Sequence, residues 1–282
     1  MLKKKNRLLW SGGLRSTYRL IELCRQPNVK IQPVTIAFTK EQSTPYEIQA
    51  QSNILAWLLS RKLPVAHLMP PTYLTENQVQ VSPQLRQEFA TFMLSEPELA
   101  NPRWLILAAY AEKARKIDFC GLIPEPGVCG NDAPSLFSNY SLQCEGVSDA
   151  VMLEHLSSWG YGELVPLLWS CDSPYHGEPC GVCPNCVRKI KAGSAAYHQS
   201  SVQKRYSLLM SLLEHGDHEE AEMFKAYIHG ELNAVLTMYV NLENSMTFEK
   251  SVLPEETERI AEKIRHIKEL LGEYRQEFPE QV

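Results

Sequence analysis

A chain of 282 residues, 44% hydrophobic and 22% charged, has the length for one large domain or one domain with an appendage, and an ordinary globular composition. Its net charge of -5 argues against wholesale nucleic-acid binding, and no apolar run reaches the length of a transmembrane helix. Residues 1–7 are basic but too poor in apolar side chains for a secretory signal, so a cytoplasmic location is expected, with the eight cysteines acting as metal ligands or reduced thiols rather than disulfides.

The first pattern in the chain is Arg7-Leu8-Leu9-Trp10-Ser11-Gly12-Gly13-Leu14-Arg15-Ser16-Thr17. Leu8 to Trp10 reads as a buried strand, and residues 18–24 run on with helical spacing. A strand that turns through glycines into a helix N-terminus builds an anion site: the backbone can approach closely, free N–H groups point outward and the helix dipole favours negative charge. The predicted phosphate-binding set is Ser11, Gly12, Gly13, Leu14, Arg15, Ser16 and Thr17. No Lys follows the glycines, so this is not a loop of the GxxxxGK[ST] type.

Residues 29–38 are rich in β-branched side chains and predict a second strand, and residues 46–63 predict a helix that Pro64 stops. Residues 65–69 predict a third strand before a loop at Pro70 and Pro71. Helices follow at about 83–94 and at 105–116, then a fourth strand at 117–122. Strands alternating with helices imply crossover units and a parallel sheet, in which ligands sit beyond the C-terminal strand ends, where the Ser11-Gly12-Gly13 loop would lie. Residues 123–150 are loop-rich, and Asp132 is a candidate ligand for substrate or metal. A short helix is expected at 151–160 and a strand or extended lead-in at 164–169.

Cys171, Cys180, Cys183 and Cys186 then follow in a C-x8-C-x2-C-x2-C spacing. Two-residue gaps let neighbouring thiolates converge on one ion, and Gly181 and Pro184 suit the tight turns this needs. Four thiolates favour tetrahedral zinc in a closed, structural site, with an iron–sulfur centre as the rival. His176 lies inside the long gap and reads as a loop histidine, because four cysteines already complete a shell.

Taken together, the Ser-Gly-Gly loop and the cysteine spacing resemble the 7-cyano-7-deazaguanine synthase (QueC) family of the PP-loop ATP pyrophosphatases. Members of that family pair an SGGxDS loop with a late zinc site of this spacing, usually with Arg two residues on, as Arg188 is here. Trp169-Ser170-Cys171 looks like the family's WSC, Glu41-Gln42-Ser43 with Glu47 downstream is similar to its GQ-x(n)-E segment, and Ala108-Ala109-Tyr110-Ala111-Glu112 to its AAxYAE-like helix. The resemblance covers roughly residues 7–198.

That resemblance implies a Rossmann-like parallel α/β sheet of the adenine-nucleotide hydrolase (PP-loop) type over residues 1–200, including the four-cysteine zinc site, followed by an acidic helical extension over 201–282. It implies ATP with Mg2+ as co-substrate and a 7-deazaguanine carboxylate as substrate, activated as an adenylate and converted by ammonia to the amide, then by a second activation to the nitrile, as in queuosine biosynthesis. Zinc would brace the substrate region. Gln42, Glu47, Glu125 and Asp132 are the substrate-binding candidates; a carboxylate at 125 or 132 could accept from a guanine-like ring N–H and exocyclic amine together.

Three departures from the family pattern stand out, one of them the replacement of the family's acidic, tyrosine-containing loop after the fourth strand by residues 124–132, which implies a different base recognition. Arg15 occupies the place of the motif Asp, so an acidic group suited to magnesium has become a fixed cation. The extension holds nine Lys and Arg against sixteen Asp and Glu, and it predicts helices near 202–213, 219–241 and 254–278. In the last, Ile260, Ile264, Ile267, Leu271, Tyr274 and Phe278 form one apolar stripe, which packs back on its own domain or offers a homodimer or protein-partner surface. Alternatives to the synthase are therefore a ligase joining the activated carboxylate to another amine, for example on a protein in anti-phage defence, or a non-catalytic nucleotide- or deazaguanine-binding protein.

Overall fold

The computed structural model describes residues 4–61, 67–95, 102–114, 117–119, 139–142, 144, 146–248 and 254–278. They divide into two compact units, one of residues 1–170 with 194–196, the other of 171–193 with 197–282. The cysteine segment thus belongs with the C-terminal helices, and the expected division at 200 falls inside the second unit.

In the first unit, strands β1 (Lys4–Leu9), β2 (Val29–Ala37), β3 (Thr72–Thr75), β4 (Ile117–Phe119) and β5 (Tyr140–Leu142) form a sheet of order β3-β2-β1-β4-β5 with every pairing parallel. The chain is α/β, as expected, and this is the order of a doubly wound open sheet, whose direction of winding reverses beside β1. Among the described residues the unit also holds helices α1 (Leu14–Cys24), α2 (Thr44–Ser60), α3 (Pro83–Ser95), α4 (Pro102–Ala114) and α5 (Asp149–Ser158).

Successive residues of a strand face opposite ways, and Leu8 and Leu9 show the result. Leu8 packs with Leu20 and Ile21 of α1, Ile54 and Leu58 of α2, and Met152 and Leu156 of α5. Leu9 joins Ile36, Ile117 and Tyr140 with Ala111 of α4. Helices on both faces explain why consecutive residues at the end of β1, Leu8 and Leu9, are both apolar and both buried.

Two expected strands differ. Of 65–69, residues 65 and 66 lie outside the described residues, and Leu68 makes only a single parallel bridge to Ile31. The ladder beside β2 resumes at Thr72, after Pro70 and Pro71, which have no N–H to donate. Residues 164–169 are not a strand: Gly162–Leu167 is a 3-10 turn, because Leu164, Val165 and Leu168 must all reach one core, a helical rather than a two-residue spacing.

The second unit holds α6 (Pro184–Lys191), α7 (Ser200–Glu214), α8 (His218–Ile228), α9 (Leu232–Phe248) and α10 (Pro254–Glu277). The helix expected at 219–241 is two helices. Gly230 takes a positive φ of 75°, its N–H bonds the Tyr227 carbonyl, and the Glu231 N–H bonds that of Ala226, a glycine-dependent helix stop. Of the expected apolar stripe, Ile264, Ile267, Leu271, Tyr274 and Phe278 are buried in this unit and Ile260 is half-buried; Tyr274 packs against Phe224 and Tyr227, and Phe278 against Phe224. No described helix is long and apolar enough to cross a membrane.

Candidate functional site

Two constellations stand out among the described residues, one in each unit. The first begins where β1 ends. Trp10 extends the ladder through its N–H to the Val34 carbonyl (2.9 Å), and its own carbonyl accepts from Thr35 Oγ1 (2.8 Å) and Gln51 Nε2 (3.0 Å). The chain then reverses at Gly12, whose φ of +79° belongs to glycine. A Cβ there would also stand 3.1 Å from Gln51 Cγ and 3.1 Å from the Glu47 carbonyl, so the loop lies hard against the first turns of α2. On the other side a Cβ at Gly13 would stand 2.9 Å from Ser170 Oγ and 3.1 Å from the Trp169 carbonyl. The Trp169 N–H donates to the Gly12 carbonyl (3.2 Å), and its ring stacks on Tyr46 at 4.6 Å.

Gly13 is the N-cap of α1, and no side chain caps that end. The helix therefore presents its first-turn N–H groups and the positive end of its dipole beside Ser11. Ser11 is exposed; its hydroxyl lies 3.2 Å from Ser16 Oγ and accepts from the Gly13 N–H (3.4 Å). Ser16 Oγ also donates to the Gly13 carbonyl (3.3 Å).

Three residues of the predicted phosphate set do something else. Leu14 is core. Thr17 is fully buried and accepts the indole N–H of Trp10 (3.1 Å), which fixes the start of α1 to the end of β1. Arg15 reaches α5: Nη1 lies 3.5 Å from Asp149 Oδ1, and Nη2 donates to the carbonyls of Val147 (3.0 Å) and Cys144 (3.5 Å). Sequence reasoning missed Asp149, although its place after the N-cap Ser148 suits a carboxylate.

Of the substrate candidates, Gln42 is exposed on the loop before α2, and Glu47 accepts from Ser43 Oγ (3.2 Å) within α2's first turn. Arg103 pairs with Glu41 and reaches Ser43 Oγ (3.4 Å), ordering that loop. Glu125 and Asp132 lie outside the described residues.

The second constellation is the cysteine cluster. The sulfurs of Cys171, Cys180, Cys183 and Cys186 all lie within 4.8 Å of one another, and all four residues are buried. Sulfurs arranged tetrahedrally at zinc–sulfur bond lengths would stand about 3.8 Å apart, and Cys180 and Cys186 Sγ are 3.7 Å apart. Backbone N–H groups point at the sulfurs: Cys180 to Cys171 (3.2 Å), Val182 and Cys183 to Cys180 (3.4 and 3.2 Å), and Cys186 to Cys183 (3.4 Å). Such donors stabilise thiolates, and four buried sulfurs ringed by N–H dipoles suit a cation.

The thiols also act on one another. Hydrogen bonding to Cys171 holds Cys180 and Cys183 below the ordinary thiol range, while the bonds to Cys180 and to Cys171 push Cys171 and Cys186, respectively, above it. The group can hold a metal ion such as zinc, and no other cluster of three or more His, Cys, Asp or Glu converges among the described residues.

The supports of this cluster come from near and far in sequence. Cys183 caps α6 with Pro184 in its first turn. Gly181 has φ +82°, and a Cβ on it would fall 2.7 Å from the Val202 carbonyl of α7. Arg188 donates to Asn185 (2.5 Å), which donates to Asp172 (2.7 Å), linking the two arms of the segment. His176, with φ +50°, packs its ring on Tyr175 and is not among the converging groups. No motif in the sequence signals Arg205, which is buried and donates to the carbonyls of Cys180 (2.8 Å) and Pro179 (2.9 Å).

No family model matches this chain, and no curated protein matches it at a significant level.

Proposed function

We propose that the Ser-Gly-Gly loop binds the phosphates of ATP and that the protein is a QueC-like enzyme activating the carboxylate of a 7-deazaguanine as its adenylate. One observation carries the reading: α1 begins, uncapped, straight after Gly12 and Gly13 at the end of β1, where the sheet reverses its winding. In this reading the first-turn amides and the Ser11 hydroxyl hold the pyrophosphate of ATP.

In this reading the substrate carboxylate attacks the α-phosphorus, pyrophosphate leaves, and ammonia displaces AMP to give the amide. A second activation at the amide oxygen then allows its loss and leaves the nitrile. The chain's contribution is positioning and charge stabilisation rather than covalent chemistry. No carboxylate cluster for a resident magnesium stands among the described residues. Mg2+ would arrive on the phosphates, where it supplies charge neutralisation and keeps several of its waters. The cysteine cluster, as a zinc site, is structural. Exchange of labelled pyrophosphate into ATP that depends on 7-carboxy-7-deazaguanine supports the proposal; exchange that is absent with every 7-deazaguanine carboxylate opposes it.

Arg15 favours a second reading. The residue at the motif Asp position is committed to Asp149 and two carbonyls, so it offers no carboxylate to a metal. A protein that binds ATP or a deazaguanine without turnover, or that passes the acyl group to another amine, fits the same loop. Binding of Mg-ATP by calorimetry without pyrophosphate exchange distinguishes the binder.

A further inference from the structure

Arg205 lies on α7, yet its guanidinium is directed at the cysteine segment. Nε donates to the Cys180 carbonyl at 2.8 Å and Nη2 to the Pro179 carbonyl at 2.9 Å, with Glu178 Oε2 at 3.4 Å. The guanidinium carbon also stands over the Tyr175 ring, 4.9 Å from its centre. Among the described residues only two cationic side chains are buried, Lys189 at 2% exposed and Arg205 at 3%. Both belong to the second unit, and Lys189 follows Cys186 on α6 at the spacing of neighbours on a helix face. Removing a cation from water is costly unless negative charge lies close by. Glu178 supplies only part of that charge for Arg205, since its side chain is 41% exposed and also accepts from Ser201 Oγ at 2.6 Å.

The bonds from Arg205 fall on the turn that shapes the cysteine cluster. The Cys180 carbonyl belongs to the peptide before Gly181, where the chain reverses at a φ of +82°. Past that reversal the Val182 and Cys183 N–H groups point back at the Cys180 sulfur, at 3.4 and 3.2 Å. The outside of the same turn is seated on α7: a Cβ on Gly181 would stand 2.7 Å from the Val202 carbonyl and 3.4 Å from Arg205 Cβ. Arginine suits the place because its rigid fork bonds two neighbouring carbonyls at once, whereas a lysine ammonium is a point charge on a flexible stem.

We infer that Arg205 is a positioning residue of the metal centre, clamping the Cys180–Cys183 turn from outside and offsetting the net negative charge of four thiolates around a divalent ion. The inference rests on the cysteine cluster being a metal site. A turn already held in its bound shape loses less freedom when the ion arrives, and a permanent cation beside the thiolates stabilises their charge. The helical extension thereby helps to hold a metal whose four ligands all lie upstream of it.

The test begins with elemental analysis of the full chain. Zinc affinity is then measured by competition with a chromophoric chelator for the wild type, Arg205→Lys and Arg205→Met, together with the melting temperatures of the loaded and metal-free forms. Arg205→Met, which keeps an apolar stem, is expected to bind zinc about tenfold more weakly or worse. Arg205→Lys keeps the charge without the fork and should recover part of that loss. A residue that merely packs α7 would lower both melting temperatures alike and leave zinc affinity unchanged, and that result overturns the inference. An Arg205→Lys protein no better than Arg205→Met overturns the charge role. If Arg205→Met fails to fold, the wild type decides by NMR with labelled arginine. An Arg205 Nε–H that resists exchange in the loaded protein and loses that protection on chelation is expected; one that exchanges freely in the loaded protein overturns the clamp. A protein that binds no metal overturns the metal reading and this role with it, whereas a loaded site indifferent to Arg205 overturns this role alone.

Discussion

Arg15 Nη1 lies 3.5 Å from Asp149 Oδ1, joining the first turn of the helix after β1 to the first turn of α5. Both side chains are largely withdrawn from water, 15% and 3% exposed. Arg15→Asp would set a second carboxylate beside Asp149 and abandon two carbonyls now bonded by the guanidinium. It is expected to lower the unfolding free energy by on the order of 3 kcal/mol, more than Arg15→Gln does. Urea denaturation measures this; an Arg15→Asp protein as stable as the wild type would show that the ion pair does not hold α1 to α5.

The Trp10–Thr17 hydrogen bond gives a cleaner substitution. Thr17→Val keeps the side-chain shape and removes the acceptor of the Trp10 indole, leaving a buried N–H unsatisfied. A loss of about 1–3 kcal/mol is expected. Gly12→Ala combines an unfavourable positive φ with two 3.1 Å encounters on α2, and should cost about as much. Thermal melting of both variants checks this, with Gly193→Ala, at a positive φ but with nothing within 4 Å, as the control for strain alone.

Much of this was legible in the sequence because it is local. Leu8, Leu9 and Trp10 run apolar, Gly12 and Gly13 follow, and a strand-to-helix turn is the economical solution. The cysteine spacing likewise announces convergence, and the sulfurs do converge. What escaped is non-local. Nothing near Arg15 in the chain points to Asp149, nothing near Cys180 points to Arg205, and burial of Thr17 depends on which way the helix turns its first residues. The 3-10 turn at Gly162–Leu167, where a strand or an extended lead-in is expected over 164–169, has the same origin, since a run of apolar residues fits either until the core they serve is known; only Leu168 onward is extended.

Cys24 makes a pH-dependent prediction. Burial pushes its thiol from 9.0 up to about 12 in the folded protein. Below pH 9 the thiol is neutral in folded and unfolded chains alike, so its contribution is complete there. Between pH 9 and 12 only the unfolded chain ionises, and stability falls by up to about 1.4 kcal/mol per pH unit. Cys24→Ala or Cys24→Val should flatten that part of the stability curve. Native alkylation at pH 8 should leave Cys24 unmodified, as mass mapping of the labelled peptides can show.

Removing the metal should act on the second unit. With the four sulfurs as ligands, chelation is expected to lower the melting temperature, expose the four thiols to Ellman's reagent and reduce helicity. Cys183→Ser should do the same without chelator, because it weakens a ligand while leaving an N-cap acceptor on α6. Unchanged thiol reactivity after exhaustive chelation would count against a metal in the cluster.

Adenylation of a 7-deazaguanine carboxylate is tested most directly by mass spectrometry of a reaction holding the purified full chain, Mg-ATP, 7-carboxy-7-deazaguanine and ammonia. AMP and pyrophosphate are expected, with the amide and then the nitrile accumulating, and neither product without ATP. ATP and base that remain unchanged, in a preparation shown to be folded and metal-loaded, would contradict the synthase and leave a protein that binds these molecules without converting them.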